Sequence, residues 1–232
     1  MKKWSLFAGI VFCLTPLVFS QPLGIFTGQV SVGDDAWSGQ ASFANDTYEI
    51  LGSGNDIWGQ GQTDGFYFVY KTVTGDFIAT CDAVWGEPEI PGADPQGDYW
   101  KKIGWMARDS VDDPEDAGAA HASALIIRDL YSNLVARLEY EGESFDIFFV
   151  DSEDRGDKTS TIQLKREGNT FTMFRGLTDG SFIDRGSVEI EMAETILVGL
   201  VVTSHDTNAI ERGLFSNVSI KPLTAISNYA LY

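Results

Sequence analysis

Asp56, Trp58 and Asp64 lie within one glycine-rich stretch, Gly52 to Tyr70 (G-S-G-N-D-I-W-G-Q-G-Q-T-D-G-F-Y-F-V-Y). Carboxylates accept hydrogen bonds from hydroxyl groups, and an indole face packs against the C–H side of a sugar ring. The loop therefore carries the parts of a polyol-binding site. The same residues have a structural alternative. The two acids could satisfy N–H groups of the glycine loop while Trp58 caps the core, because buried polar groups must be bonded somewhere.

A second set is Arg108, His121, Arg137 and His205, which includes both histidines of the chain. On one sheet face these would line a groove together with Asp56. Alternatively, they form Arg–Asp and His–backbone pairs that hold two sheets in register, since a buried arginine is costly unless paired. No serine or cysteine stands in a nucleophile-elbow context, and two histidines provide no zinc spacing. Glu189 and Glu191 alternate in E-I-E-M-A-E, so on a strand they would project together, roughly 6.5–7 Å apart. A retaining glycosidase needs its pair about 5–5.5 Å apart in a cleft. An exposed strand face is the better reading of these glutamates.

Three acidic loops, Glu87 to Asp98, Asp109 to Asp116 and Asp151 to Asp157, could supply the six to eight oxygens that calcium takes. The densest, D-S-E-D-R-G-D, contributes Asp151, Glu153, Asp154 and Asp157, without full EF-hand spacing. A solvated acidic surface is the alternative.

The elements that must position these residues are strands. Phe66 to Tyr70 is aromatic and β-branched throughout, and Phe77 to Trp85 alternates small and large residues. Ile103, Trp105 and Ala107 share one face, with Met106 and Arg108 on the other. Leu134 to Tyr140 and Ser187 to Met192 are expected strands. Glu167-Gly168-Asn169 is expected to turn a hairpin, and the run I-L-V-G-L-V-V at 196–202 reads as a central buried strand. A leader from Pro22 to Asp35 is expected to add an edge strand. No segment keeps a 3.6-residue period. About a dozen short strands with glycine turns therefore predict an all-β, antiparallel β-sandwich.

Residues 1–20 are expected to be an export signal: Lys2 and Lys3 precede an apolar run from Leu6 to Phe19 that is too short for a typical span. The sandwich would occupy 21–222 and a tail 223–232. The chain is then secreted or periplasmic, with no membrane contact after cleavage. Its net charge of −18 disfavours nucleic acid and anionic lipid heads as partners. Cys81, the one cysteine outside the export signal, falls on an apolar face and is expected to be buried and inert.

The runs Y-E-I-L-G-S-G-N-D-I-W at 48–58, I-G-W-M-A-R-D-S at 103–110 and A-A-H-A at 119–122 resemble a family of bacterial secreted domains related to the DUF1349 group. So do L-K-R-E-G-N-T-F-T-M-F at 164–174, V-G-L-V-V-T-S-H at 198–205 and F-S-N-V at 215–218. The resemblance spans most of 33–220. Thr161, Gln163 and Phe182 depart from the family's pattern. It implies a concanavalin A-like lectin/glucanase jelly roll with carbohydrate as the suggested ligand. The expected function is a non-catalytic polysaccharide-binding module, with Ca2+ a candidate cofactor. The alternatives are a glycoside hydrolase of the same fold and an adhesive, protein-binding sandwich.

Overall fold

The structure is a computed structural model that describes residues 23–33, 39–87, 98–127, 131–149 and 158–223. It is an antiparallel β-sandwich with no helix among the described residues, and hence none long and apolar enough to cross a membrane. The strands are β1 (Gly28–Val32), β2 (Gln40–Ala44), β3 (Thr47–Gly54), β4 (Gly59–Gln60), β5 (Phe66–Thr74), β6 (Phe77–Trp85), β7 (Lys102–Arg108) and β8 (His121–Ile127). They continue with β9 (Tyr131–Arg137), β10 (Glu143–Phe149), β11 (Lys158–Glu167), β12 (Thr170–Leu177), β13 (Phe182–Glu189), β14 (Thr195–Thr203) and β15 (Asp206–Pro222). One sheet has the order β1-β5-β14-β7-β8-β9-β10-β4, the other β13-β12-β11-β6-β15-β3-β2.

Period-two alternation builds the layer between the sheets. Phe77, Ala79, Cys81 and Ala83 from β6 are fully buried there, facing Ile103, Trp105 and Ala107 from β7. Burial pushes the Cys81 thiol well up, as an inert core residue requires. The central strand β14 lies between β5 and β7. Its Gly199 leaves room for its neighbours: a Cβ there would lie 2.2 Å from the Val69 carbonyl oxygen and 2.7 Å from the Phe68 ring.

The eight-stranded sheet buries its second face as well. Val32, Phe66, Phe68, Met106, Leu125 and Val135 form a second apolar cluster, closed by Ile57 and Ala117 from two loops. Arg108, His121 and Arg137 are cross-strand neighbours on this outer face, at one end of the β7–β8–β9 ladder. Lys102 stands at the far end of β7, six residues away or roughly 20 Å along the strand.

The leader does add an edge strand, β1. The β11–β12 hairpin turns at Gly168-Asn169, as its sequence predicts. Two strands differ from their expected positions. The strand expected at Leu134 to Tyr140 starts at Tyr131 and stops at Arg137, because Glu141 takes φ 55° and the Gly142 amide bonds Glu139 in a tight turn. The one expected from Ser187 to Met192 runs from Phe182 to Glu189. It stops there because the Arg166 guanidinium claims the carbonyls of Met192, Ala193 and Glu194. Glu189 closes the strand and Glu191 follows it, both exposed.

Phe215 is fully buried between the sheets, whereas Val84 is exposed on the outer face. Urea unfolding is expected to show Phe215→Ala destabilised by about 3–5 kcal/mol. Val84→Ala should stay within about 0.5 kcal/mol of the parent.

Candidate functional site

The site follows from where the segment after β3 is sent. At its start Gly54 has φ +146° and packs so closely on Gly65 that a Cβ would lie 1.9 Å from the Gly65 carbonyl oxygen. The Gly65 amide donates to the Asp56 carbonyl at 2.7 Å, and Asn55 Nδ2 donates to the Thr63 carbonyl at 2.8 Å. The ten residues 55–64 therefore close on themselves. Ile57 points down into the second apolar cluster, fully buried, and Trp58 points away from it, 40% exposed.

Asp64 and Asp56, alike in sequence, have different surroundings. Asp64 is buried beneath the loop and accepts a two-pronged bond from Arg137, at 2.7 Å from Nη1 and 2.8 Å from Nη2. Arg137 also donates to the carbonyls of Ala117, Gly59 and Gly142 at 3.0, 3.3 and 3.0 Å. Arg108 lies over the Phe66 ring and donates to the Asp116 carbonyl, and its burial pushes its pKa down to about 10. His121 bonds Ser123 through Nδ1 at 2.9 Å and Ser144 through Nε2 at 3.3 Å. Arg108, His121, Arg137 and Asp64 are all at most 1% exposed. These four of the seven binding residues expected from sequence form a buried network that carries the loop, with no side-chain surface open to a ligand.

The other three, Asp56, Trp58 and His205, meet at a cleft of about 330 Å3. Trp100, Lys102, Asn133 and Asp146 complete its lining. Asp56 receives Lys102 Nζ on Oδ1 and stands 3.3 Å from His205 Nε2 through Oδ2. His205 Nδ1 is 3.0 Å from Asp98 Oδ1. His205 occupies the β14–β15 turn with φ 59°, in the left-handed region that histidine enters more readily than most residues. Lys102 also donates to the Trp100 carbonyl at 3.1 Å.

The opposite wall is polar. Asn133 is 2% exposed and its side-chain oxygen has no hydrogen-bond partner among the described residues. Its amide bonds Asp146, whose pKa is raised, mainly because the cleft walls strip water from it. A buried acceptor without a partner, two carboxylates and two part-exposed indoles together suit a ligand rich in hydroxyl groups.

Trp100, Lys102, Asn133 and Asp146 were not singled out by sequence reasoning. Lys102 could have been, because it alternates with Gly104, Met106 and Arg108 on the non-core face. The metal ligands expected at Asp151, Glu153, Asp154 and Asp157 lie outside the described residues. Among the described residues no three His, Cys, Asp or Glu side chains converge as metal ligands.

No family model matches the chain, and no curated protein matches it. Solved structures do match in fold. A functionally unknown protein from Saccharomyces cerevisiae is 12% identical with a TM-score of 0.57, over 85% of this chain and 97% of that one. A mutant of the GH43 protein BlXynB from Bacillus licheniformis is 8% identical with a TM-score of 0.53. The match covers 79% of this chain and 38% of that one, so this chain spans well under half that protein's length. The metal-free form of lectin I-B4 from Griffonia simplicifolia is 11% identical with a TM-score of 0.49, over 84% of this chain and 93% of that one. At these identities the likeness to the first two is one of fold.

The buried histidine has a measurable consequence. Burial, then Arg137 and Arg108, push His121 well below its ordinary value. The unfolded chain takes up this proton as pH falls through about 6.5 and the folded chain does not, so stability is lost toward acid. Asp64, which burial pushes up to about 6 against the pull of Arg137, works in the opposite sense but is common to parent and variant. Between pH 7 and pH 5 the parent should lose about 2 kcal/mol more unfolding free energy than His121→Gln. Urea titrations of both chains at the two pH values measure the difference.

Proposed function

We propose that this chain is an exported, non-catalytic carbohydrate-binding module, and that its ligand sits in the cleft between Trp58 and Trp100. The observation that carries this reading is the pairing of two indoles, 40% and 42% exposed, with the buried Asn133 acceptor, unpartnered among the described residues. Trp58 and Trp100 supply apolar ring faces, and Asp56, Asp146 and Asn133 accept from hydroxyl groups. Lys102 and His205 hold the Asp56 carboxylate in place before any ligand arrives, which lowers the ordering cost of binding. The motif resemblance to secreted DUF1349-related domains supports the same ligand class, and the apolar stretch after Lys2 and Lys3 supports export.

A second reading, glycoside hydrolysis in the same cleft, is favoured by one observation. Asp146 is shifted toward its protonated form, while Asp56 on the facing loop is paired with a lysine. Reducing-sugar release that disappears in Asp146→Asn would establish that reading. Parent protein that binds a polysaccharide without releasing sugar would exclude it.

Binding itself is tested by retention on insoluble polysaccharides and by calorimetry. Trp58→Ala should weaken affinity at least about tenfold, roughly 1.4 kcal/mol, with the melting temperature unchanged. A parent protein retained by no polysaccharide would overturn the proposal.

A further inference from the structure

Two large aromatic residues stand side by side in solvent next to the cleft. Tyr99 is 40% exposed and Trp100 42%, with their rings 5.0 Å apart at 83°. Single exposed apolar side chains are ordinary. This pair is different because other rings back it: Tyr131 lies 5.8 Å from Tyr99, and Phe149 lies 5.8 Å from Trp100. Trp100 lines the cleft, and Tyr99, which does not line it, packs edge-on against the Trp100 ring.

The backbone beneath the pair is pinned on both sides. The Trp100 amide donates to Asp98 Oδ1 at 2.7 Å, and that carboxylate also faces His205. On the other side Lys101 is buried, 2.9 Å from Glu211 and over the Trp85 ring at 4.5 Å. The pair is thus presented in one arrangement, as a surface for stacking needs to be.

The charges around the cleft narrow the ligand further. Asp56, Asp98 and Asp146 surround it on a chain of net charge −18. Its one lysine, Lys102, is 3% exposed and already committed to Asp56 and the Trp100 carbonyl. His205 is held between Asp56 and Asp98. Among the described residues the lining therefore offers no uncommitted cation to a uronate or sulfate.

We propose that the ligand is an uncharged glycan bound through at least two consecutive sugar units, one between Trp58 and Trp100 and the next against Tyr99. This rests on the carbohydrate reading above and adds a length and a charge class to it. The test is calorimetry on the full chain with glucose, xylose, mannose and galactose and their linear β-1,4-linked oligomers of two to six units. Oligogalacturonates of matched length serve as the acidic probe. For the series that binds, affinity should rise at least about tenfold from monomer to trimer, and the matched uronate should bind at least about tenfold more weakly. Tyr99→Ala should remove the gain with length, and Tyr99→Phe, which keeps the ring, should retain it. Affinity that stays flat with length, equal binding of the uronate, or loss of the gain in Tyr99→Phe would overturn the inference and leave the carbohydrate reading standing. Failure of every series to bind would overturn both.

Discussion

The buried bond between Asp64 and Arg137 is the constraint from which the site follows. The two residues are far apart in the chain, and their side chains meet with both carboxylate oxygens engaged at 2.7 and 2.8 Å. A charge pair out of water holds together only when its remaining hydrogen-bonding capacity is also met. Here the remaining guanidinium protons reach the carbonyls of Gly59, Ala117 and Gly142, three different loop segments. One arginine on a rigid strand thereby fixes the segment after β3, the acidic loop after β7 and the turn after β9 to one another. Apolar side chains in place of the whole network could fill the same space, but they would not set the register of three segments at once. Thr203 extends the arrangement by donating to the Gly65 carbonyl at 2.7 Å.

Loop placement decides which acid is structural and which faces the cleft. Asp56 and Asp64 both sit close to glycines in the same stretch, and nothing local distinguishes them. The distinction comes from the opposite partner. Arg137 reaches Asp64 from one end of the sheet face, and Lys102 reaches Asp56 from the other. Ile57, fully buried between them, anchors the loop in the apolar cluster of that face. Its neighbour Trp58 is consequently turned outward.

This explains how far the sequence could be read. Alternation along Phe77–Trp85 and Ile103–Ala107 depends only on neighbours two residues apart, so both faces of those strands were legible, as was the buried run of β14. Of Arg108, His121, Arg137 and His205, the first three do share one sheet face, but it is the outer face of one sheet, where they hold loops and not the two sheets in register; only Arg137 forms the expected Arg–Asp pair, and His205 lies at the cleft. The cleft was not legible, because Trp58, Trp100, Asn133, Asp146 and His205 come from five separate segments. Their convergence depends on register and loop course rather than on any local pattern. Arg175 marks the same limit inside the core: it alternates with Phe171 and Met173, faces inward with them, and finds the Thr159 carbonyl at 2.6 Å. A period-two reading places that side chain but does not supply its partner.

The cleft owes its polarity to the same economy of partners. Two side chains at its floor are engaged by other parts of the fold: Lys102 by Asp56 and the Trp100 carbonyl, and His205, which stands between Asp56 and Asp98. What remains unspent is a buried amide oxygen, the solvent-facing carboxylate of Asp146 and two indole faces. With Lys102, the cation among the described lining residues, already paired, an anion would have to break that contact to gain one. The site can gain from a ligand that brings hydroxyl protons to open acceptors and C–H surface to open rings. Selectivity here therefore follows from the contacts the fold has already made with itself, and the left-handed turn at His205 is the backbone feature that brings its ring between those two carboxylates.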